Sequence, residues 1–182
     1  MLEDPSVKKI GQNIKFDFIV FFKHGINMTS MEDTMLMSYV LDAGKNRHNM
    51  DTLSEIHLNH KTISFKDLVG TGKKEINFSE VDVEKAKDYA AEDADITFRL
   101  YKKFQKSLKD EKMINIYEIF EKPLLKILAF MEIEGVKIDN KFLKSLSTKF
   151  EKKIVKIQNE VFKISKKNLI LHHQNNLEKY YI

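Results

Sequence analysis

A long amphipathic helix between residues 82 and 108 constrains the fold more than any other feature of the sequence. Its apolar positions recur at the i, i+3, i+4, i+7 spacing that places side chains on one helical face. The residues of this stripe are Val83, Ala86, Tyr89, Ala90, Asp93, Ile96, Thr97, Leu100 and Phe104. Asp93 interrupts the apolar side chains, and a carboxylate on a buried face is costly unless it is paired, hydrogen-bonded or bound to a metal.

A second notable carboxylate lies near the start of the chain. Residues 7–12 predict a short strand that runs into a loop, and apolar residues at helical spacing begin at Ile14. Gln12 and Asn13 lie at the strand end, and Asp17 follows one turn later. Because α/β sheets place their ligands beyond strand ends, Asp17 is a candidate site residue.

The two carboxylates indicate chemistry if they serve one site. Carboxylates on rigid elements can hold a pair of Mg²⁺ ions, which activate a water and stabilise the leaving oxygen in phosphodiester hydrolysis. The hydroxyl of Tyr89, one turn before Asp93, would orient that water. A structural alternative stays open for Asp17, because an acidic residue near a helix start commonly caps the helix or complements its dipole.

Shorter elements are predicted between these two regions. Residues 31–34 predict a second short strand, with Asp33 capping a helix that runs through Leu41. Another helix begins at Asp51. Residues 70–74 (GTGKK) lack the spacing and the strand-then-helix frame of a phosphate loop, so they predict a surface turn.

Helices dominate the rest of the chain. One is predicted from Met113 to Glu134, interrupted or kinked at Pro123 and ended by Gly135. A third long, lysine-rich helix is predicted over residues 140–166.

The composition narrows the possible functions. The chain has no cysteine, which excludes disulfides, thiol catalysis and cysteine-ligated zinc. No apolar stretch approaches the ~20 residues of a membrane span, and the first residues do not resemble a signal peptide, so we expect a cytoplasmic protein. Residues 1–135 carry 20 basic and 23 acidic residues, whereas residues 136–182 carry 11 and 4. The basic C-terminal segment is typical of a nucleic-acid contact, although A/T-rich codons would also favour lysine.

Several segments resemble bacterial family-A DNA polymerases of the polymerase I type. Residues 11–17 (GQNIKFD) resemble the second motif of their 3′→5′ exonuclease domain, and residues 89–95 (YAAEDAD) resemble the third. Connecting segments and the opening of the polymerase domain are similar at residues 33–36, 47–51, 123–125 and 134–139. The last of these (EGVKID) points to the polymerase rather than to ribonuclease D-type exonucleases, which share the exonuclease pattern.

The resemblance implies an α/β fold: an incomplete, helix-rich ribonuclease-H-like exonuclease domain over residues 1–110, followed by the all-helical start of a polymerase domain over residues 111–182. It implies that Asp17 and Asp93 bind Mg²⁺ or Mn²⁺, two ions in the family, and that Tyr89 positions the attacking water. The single-stranded 3′ end of DNA would be the partner, in a groove lined by Gln12, Asn13, Arg47 and Phe65.

The chain departs from the family pattern at both ends. The family's first exonuclease motif, an Asp-x-Glu strand, is not found upstream of Gln12, so we expect weak metal binding and an inactive chain. A sheet without its first strands would leave an open edge, which predicts marginal stability or self-association. Residues 168–182 do not match the family, and we interpret them as the product of a frameshift.

Two other functions stay open at this stage. The first is an autonomous exonuclease of the ribonuclease D type, which an Asp-x-Glu strand anywhere in the chain would have favoured. The second is a non-catalytic nucleic-acid-binding module that uses the basic helix over residues 140–167. Nucleotide addition is out of reach for this chain, because the polymerase palm is absent from it.

Overall fold

The chain folds mostly into helices, with one small sheet. The computed structural model describes residues 1–72 and 75–165. The elements are β1 (Lys9–Gly11), α1 (Ile14–Lys23), β2 (Met31–Asp33), α2 (Thr34–Asp42), α3 (Met50–Leu58), α4 (Phe65–Val69), a 3₁₀ turn (Phe78–Glu80), α5 (Val83–Asp110), α6 (Ile114–Ile116), a π-helical turn (Tyr117–Glu121), α7 (Lys122–Glu134) and α8 (Asn140–Ser165). This architecture confirms the predicted helix-rich α/β fold with an incomplete sheet.

The sheet consists of two parallel strands. Lys9 of β1 lies opposite Met31 of β2, and Gly11 lies opposite Asp33. Helix α1 connects the strands, because parallel neighbours require a crossover. Both predicted strands are therefore confirmed, and within residues 1–72 and 75–165 β1 pairs only with β2.

Asp33 joins the sheet to two helices. Its carboxylate accepts the backbone N–H groups of Met35 at 2.8 Å and Leu36 at 3.4 Å, which confirms its predicted role as the N-cap of α2. It also accepts the N–H groups of Asn13 at 3.1 Å and Ile14 at 3.0 Å. Burial raises the pKa of Asp33 and these four hydrogen bonds oppose the shift, so one buried side chain fixes the start of α1 and the start of α2 together.

Helix α5 supplies most of the main core, and it matches the predicted helix closely. Its residues Ile96, Leu100, Phe104 and Leu108 are buried against α2, α3 and Tyr117. The earlier part of the predicted stripe is not buried, since Val83 is 77% exposed and Ala90 is also exposed. The sequence pattern identifies the correct helical face, but only the second half of that face packs against the main core.

A smaller core holds α7 against α1. Phe18 is fully buried there, and its ring contacts Phe22 at a centroid distance of 5.8 Å and Phe130 at 5.8 Å. Leu125 and Ala129 of α7 complete this contact.

The predicted helix from Met113 to Glu134, interrupted or kinked at Pro123, is confirmed. The segment is divided into α6, the π-helical turn and α7. Pro123 explains the division, because it has no N–H to donate to Ile119 and its ring would clash with that carbonyl in a regular α-helix. Gly135 ends α7 with a φ of 73°, a conformation that favours glycine.

Residues 1–135 form one compact unit, and α8 belongs to a second. The predicted boundary between residues 110 and 111 stays a prediction. Helix α8 confirms the predicted lysine-rich helix that begins at Asn140. The suspected frameshifted tail, residues 168–182, lies outside the described residues. Among the described residues, no helix is long and apolar enough to cross a membrane.

Candidate functional site

A cleft brings together both carboxylates that the sequence selected. It lies between the β1–α1 region and the exposed half of α5, and its volume is about 590 Å³. The lining residues are Lys8, Ile10, Gly11, Gln12, Asp17, Met50, Ala90, Asp93, Ala94, Thr97 and Phe98. Asp17 and Asp93, 76 positions apart in the sequence, therefore share one cavity.

Asp93 has an unusual environment for a carboxylate. Its Oδ1 atom is buried and has no hydrogen-bond partner within the described part of the chain. Burial raises the pKa of Asp93, and the nearby carboxylates of Glu92 and Asp51 add to the shift, whereas the nearby hydroxyl of Tyr89 opposes it. A buried oxygen without a partner is costly, so this atom is suited to receive a ligand.

Tyr89 lies one turn before Asp93 on α5. Burial and the adjacent Asp93 carboxylate raise the pKa of Tyr89 to about 12. The phenol therefore keeps its proton at neutral pH and can donate a hydrogen bond. Its ring packs against Phe65 with a centroid distance of 6.0 Å, so two of the predicted site residues are in contact.

Asp17 lies on the opposite wall of the cleft. It projects from the first turn of α1 and is largely exposed, yet partial burial still raises the pKa of its carboxyl group. No side chain pairs with it in the described residues.

Gln12 lines the cleft, but both polar atoms of its side-chain amide form hydrogen bonds within the chain. Its Nε2 atom donates to the carbonyl oxygen of His48 at 2.7 Å, and its Oε1 atom accepts from the hydroxyl of Thr34. Gln12 therefore ties the β1 end to α2 and to the loop before α3. Its predicted contact with nucleic acid stays a prediction.

Asn13 and Arg47 are not part of the cleft lining. Asn13 has a φ of 57°, a conformation that asparagine tolerates better than most residues, and it faces a separate pocket that includes Lys15 and Leu124. Arg47 lies exposed in the loop between α2 and α3. Their predicted roles in binding a single strand also stay predictions.

Glu92 is a site-supporting residue that sequence reasoning missed. Its carboxylate accepts the N–H of Ile63 at 2.6 Å and pairs with Nε2 of His60 at 2.7 Å. Burial raises the pKa of Glu92, but these two hydrogen bonds lower it by more, so the pKa of Glu92 lies below its usual value. The contacts hold the segment before Phe65 against α5. Local periodicity could not predict these contacts, because His60 and Ile63 lie about 30 positions before Glu92 in the sequence.

The donor set fits a divalent cation only in part. Carboxylate oxygens suit Mg²⁺ and Mn²⁺, and no other described residue pairs with the Oδ1 atom of Asp93. Against this, the described residues contain no group of three or more His, Cys, Asp or Glu side chains that could hold a metal ion. Two carboxylates alone would bind such an ion weakly.

An Asp-x-Glu spacing does occur at Asp82 and Glu84, but not on a strand. Asp82 is the N-cap of α5, and its carboxylate accepts the N–H groups of Glu84 at 3.1 Å and Lys85 at 3.3 Å. This pair therefore starts a helix and does not replace the strand motif that the family would place beside Asp17 and Asp93.

Comparisons with known proteins identify the family to which the chain is similar. A family model described as 3′–5′ exonuclease matches residues 1–109. A DNA polymerase I from Rhizobium leguminosarum is 43% identical over 162 residues, which are 89% of this chain and 16% of the relative. A DNA polymerase I from Pseudomonas aeruginosa is 35% identical over 169 residues, which are 91% of this chain and 18% of the relative.

A solved structure supports the same fold. The POL domain of Pol1 from M. smegmatis, in complex with DNA primer-template and dNTP, superposes with a TM-score of 0.69 at 17% identity. It covers 97% of this chain, which corresponds to 28% of that chain. The present chain thus spans roughly a sixth of the length of the curated relatives that it matches, and the resemblance found in its motifs is confirmed.

Proposed function

Because the chain belongs to the 3′–5′ exonuclease family of A-type DNA polymerases, we propose that its cleft is part of a proofreading site for the single-stranded 3′ end of DNA. The whole protein would be a DNA polymerase I that acts in replication and repair, in the cytoplasm. The observation that carries this proposal is the shared cleft of Asp17 and Asp93, with one buried Asp93 oxygen that lacks a partner among the described residues.

Asp17 and Asp93 would hold a divalent cation, Mg²⁺ or Mn²⁺. Such an ion, when bound, activates a water and stabilises the oxygen that leaves a phosphodiester. Tyr89 keeps its proton and donates a hydrogen bond, which would orient the attacking water beside Asp93. Phe65, which packs on Tyr89, would offer its exposed ring to a nucleobase.

We expect the chain alone to be inactive, since a two-ion site requires more carboxylates than the cleft supplies. Release of label from a 3′-labelled single strand, with Mg²⁺ or Mn²⁺, tests this expectation. Asp93→Asn is the informative variant. Asp95→Asn is its matched control, because Asp95 is 64% exposed on the same helix and pairs only with Arg99 among the described residues.

Three outcomes are distinct. No release from any protein agrees with the expected inactivity, and Mn²⁺ binding that is lost in Asp93→Asn but kept in Asp95→Asn would then support the site. Release that only Asp93→Asn abolishes would support the site and refute the inactivity. Release that persists in Asp93→Asn would refute the assignment of Asp93.

Self-association is the second part of the proposal. Residues Ile10 and Gly11 of β1 line the cleft, and Phe98, which lines it from α5, is 45% exposed. An open strand edge next to apolar surface favours pairing with another chain. We expect sedimentation velocity to show a mass that increases with protein concentration. A single monomeric species at high concentration would contradict this part.

The basic helix supports a separate candidate function. Helix α8 carries seven lysines and two glutamates, so it could bind a nucleic-acid backbone without catalysis. Changing Lys152, Lys153 and Lys156 to glutamine should then reduce salt-sensitive binding of DNA. The autonomous ribonuclease D alternative has no such support, because neither described strand carries an Asp-x-Glu motif.

A further inference from the structure

Three aromatic side chains, two of them exposed, form a group beside the candidate site. This aromatic group consists of Phe65, Phe78 and Tyr89, with centroid distances of 5.9 Å from Phe65 to Phe78, 6.0 Å from Phe65 to Tyr89 and 6.2 Å from Phe78 to Tyr89. Phe65 is 48% exposed and Phe78 is 44% exposed. A single exposed apolar side chain is ordinary, but exposed aromatic rings that contact one another form a patch, which is typical of an interaction surface.

The backbone holds Phe78 in this exposed position. Phe78 begins a 3₁₀ turn in which the N–H of Asn77 donates to the Glu80 carboxylate at 3.0 Å. The N–H of Glu80 donates to the carbonyl oxygen of Asn77 at 2.9 Å. The N–H of Ile76 donates to the carbonyl oxygen of Val69 at 2.9 Å, which ties the turn to the end of α4. The turn is thus anchored before and within the 3₁₀ segment.

The two phenylalanine rings are nearly parallel, with an interplanar angle of 23°. Near-parallel rings at this distance are offset-stacked, so each ring covers part of one face of its neighbour and keeps an outer face. Half-exposed aromatic faces are the feature on which the bases of single-stranded nucleic acids stack. Both rings contact Tyr89, which lies one turn before Asp93. A base that stacks on these faces would therefore lie close to the carboxylate cleft.

We propose that Phe78 is a nucleobase-stacking residue, and that together with Phe65 it offers exposed aromatic faces to single-stranded DNA. This inference rests on the proposed function, because it names a further contact for the same substrate. The occupant is a single strand rather than a duplex, since only unpaired bases expose a face to an aromatic ring.

The chain has no tryptophan, which allows a direct test. Phe78→Trp and Phe65→Trp each create a single fluorescent reporter in the full chain. Both are titrated with an eight-nucleotide oligothymidylate in the presence of EDTA, so that binding is observed without hydrolysis. Phe120→Trp is the control, because Phe120 is 66% exposed but belongs to the π-helical turn.

We expect the stacked base to cause saturable quenching of tryptophan emission in Phe78→Trp and in Phe65→Trp, and no quenching in the Phe120→Trp control. Quenching at position 65 without quenching at position 78 would overturn the inference and leave the proposed function standing. No quenching at either position would refute both. Equal quenching in all three variants would also overturn the inference, because it would indicate non-specific binding.

A second measurement separates stacking from simple packing. Phe78→Ala and Phe78→Leu should each weaken binding of the oligothymidylate about fivefold, whereas Phe78→Tyr should retain it, since stacking requires an aromatic ring. Fluorescence anisotropy of a labelled oligonucleotide measures the affinity, and circular dichroism checks the fold. Full affinity in Phe78→Leu would mean that Phe78 only fills space, and the inference would fail.

Discussion

The two halves of α5 belong to one continuous stripe in the sequence, yet they lie in different environments. The second half, from Ile96 onward, is buried against α2 and α3. The first half carries Tyr89 and Asp93 and lines an open cleft. The difference indicates how the helix serves two purposes: the buried half fixes its position, and the exposed half presents the carboxylate. Substitutions in the two halves should therefore affect different properties.

Leu100→Ala should have the largest effect on stability. Leu100 is fully buried at the centre of the main core, so its truncation should lower the free energy of unfolding by about 2–5 kcal/mol. Urea denaturation measures the change. Val83→Ala, in the exposed half of the same helix, is the matched control and should alter stability little, because Val83 is 77% exposed. Similar losses in both variants would contradict the division of α5.

Glu92→Gln should lower stability less than Leu100→Ala does. Glu92 lies near the junction of the two halves of α5. The neutral amide weakens the hydrogen bonds to Ile63 and His60, and we expect a loss of about 1–3 kcal/mol. Hydrogen exchange should also show faster exchange at residues 60–65. Glu84→Gln is the control, because Glu84 is 75% exposed and its pair with Lys87 lies on the surface. Unchanged exchange in the Glu92 variant would mean that Glu92 does not hold this segment.

The sequence predicted local features well and long-range ones poorly. Helix α5, the strand before Asn13 and the Asp33 cap follow from spacing and from capping chemistry within a few residues. Periodicity identifies a helical face but not what covers it, so the exposure of Ala90 could not be predicted. The hydrogen bond from Gln12 to the carbonyl oxygen of His48 joins distant segments, and such contacts leave no local pattern in the sequence.

His57 of α3, which packs against the buried half of α5, should make the stability of the protein depend on pH. Its ring packs edge-on against Phe104 at 4.8 Å, and its Nε2 atom is buried without a partner among the described residues. Burial lowers the pKa of His57 below its usual 6.5, Lys103 adds to the shift, and Asp42 opposes it. The folded protein therefore favours the neutral ring of His57. The contribution of this ring to the free energy of unfolding is fully present above the pKa of His57 in the unfolded chain. It is lost as the pH falls through the lower pKa of His57 in the folded protein.

His57→Leu should remove this dependence. Wild-type stability, measured by urea denaturation between pH 7.5 and 5.5, should fall more steeply toward acid than that of His57→Leu. His24→Gln is the control, because His24 is exposed at the end of α1, and it should follow the wild type. Parallel curves for the wild type and His57→Leu would contradict the role of His57.

Asp93→Ala tests the exposed half and should have the smallest effect on stability, with the opposite sign. Removing a carboxylate whose Oδ1 atom is buried without a partner in the described part of the chain should stabilise the fold rather than weaken it. Alanine also favours helix more than aspartate does, so Asp95→Ala, on the same helix, must be measured beside it. The gain in Asp93→Ala should exceed the gain in Asp95→Ala by up to about 1 kcal/mol. If Asp93→Ala were instead less stable than Asp95→Ala, the Asp93 carboxylate would be a structural residue. A larger gain, together with loss of Mn²⁺ binding, would mean that the protein keeps a destabilising carboxylate at this position for its chemistry.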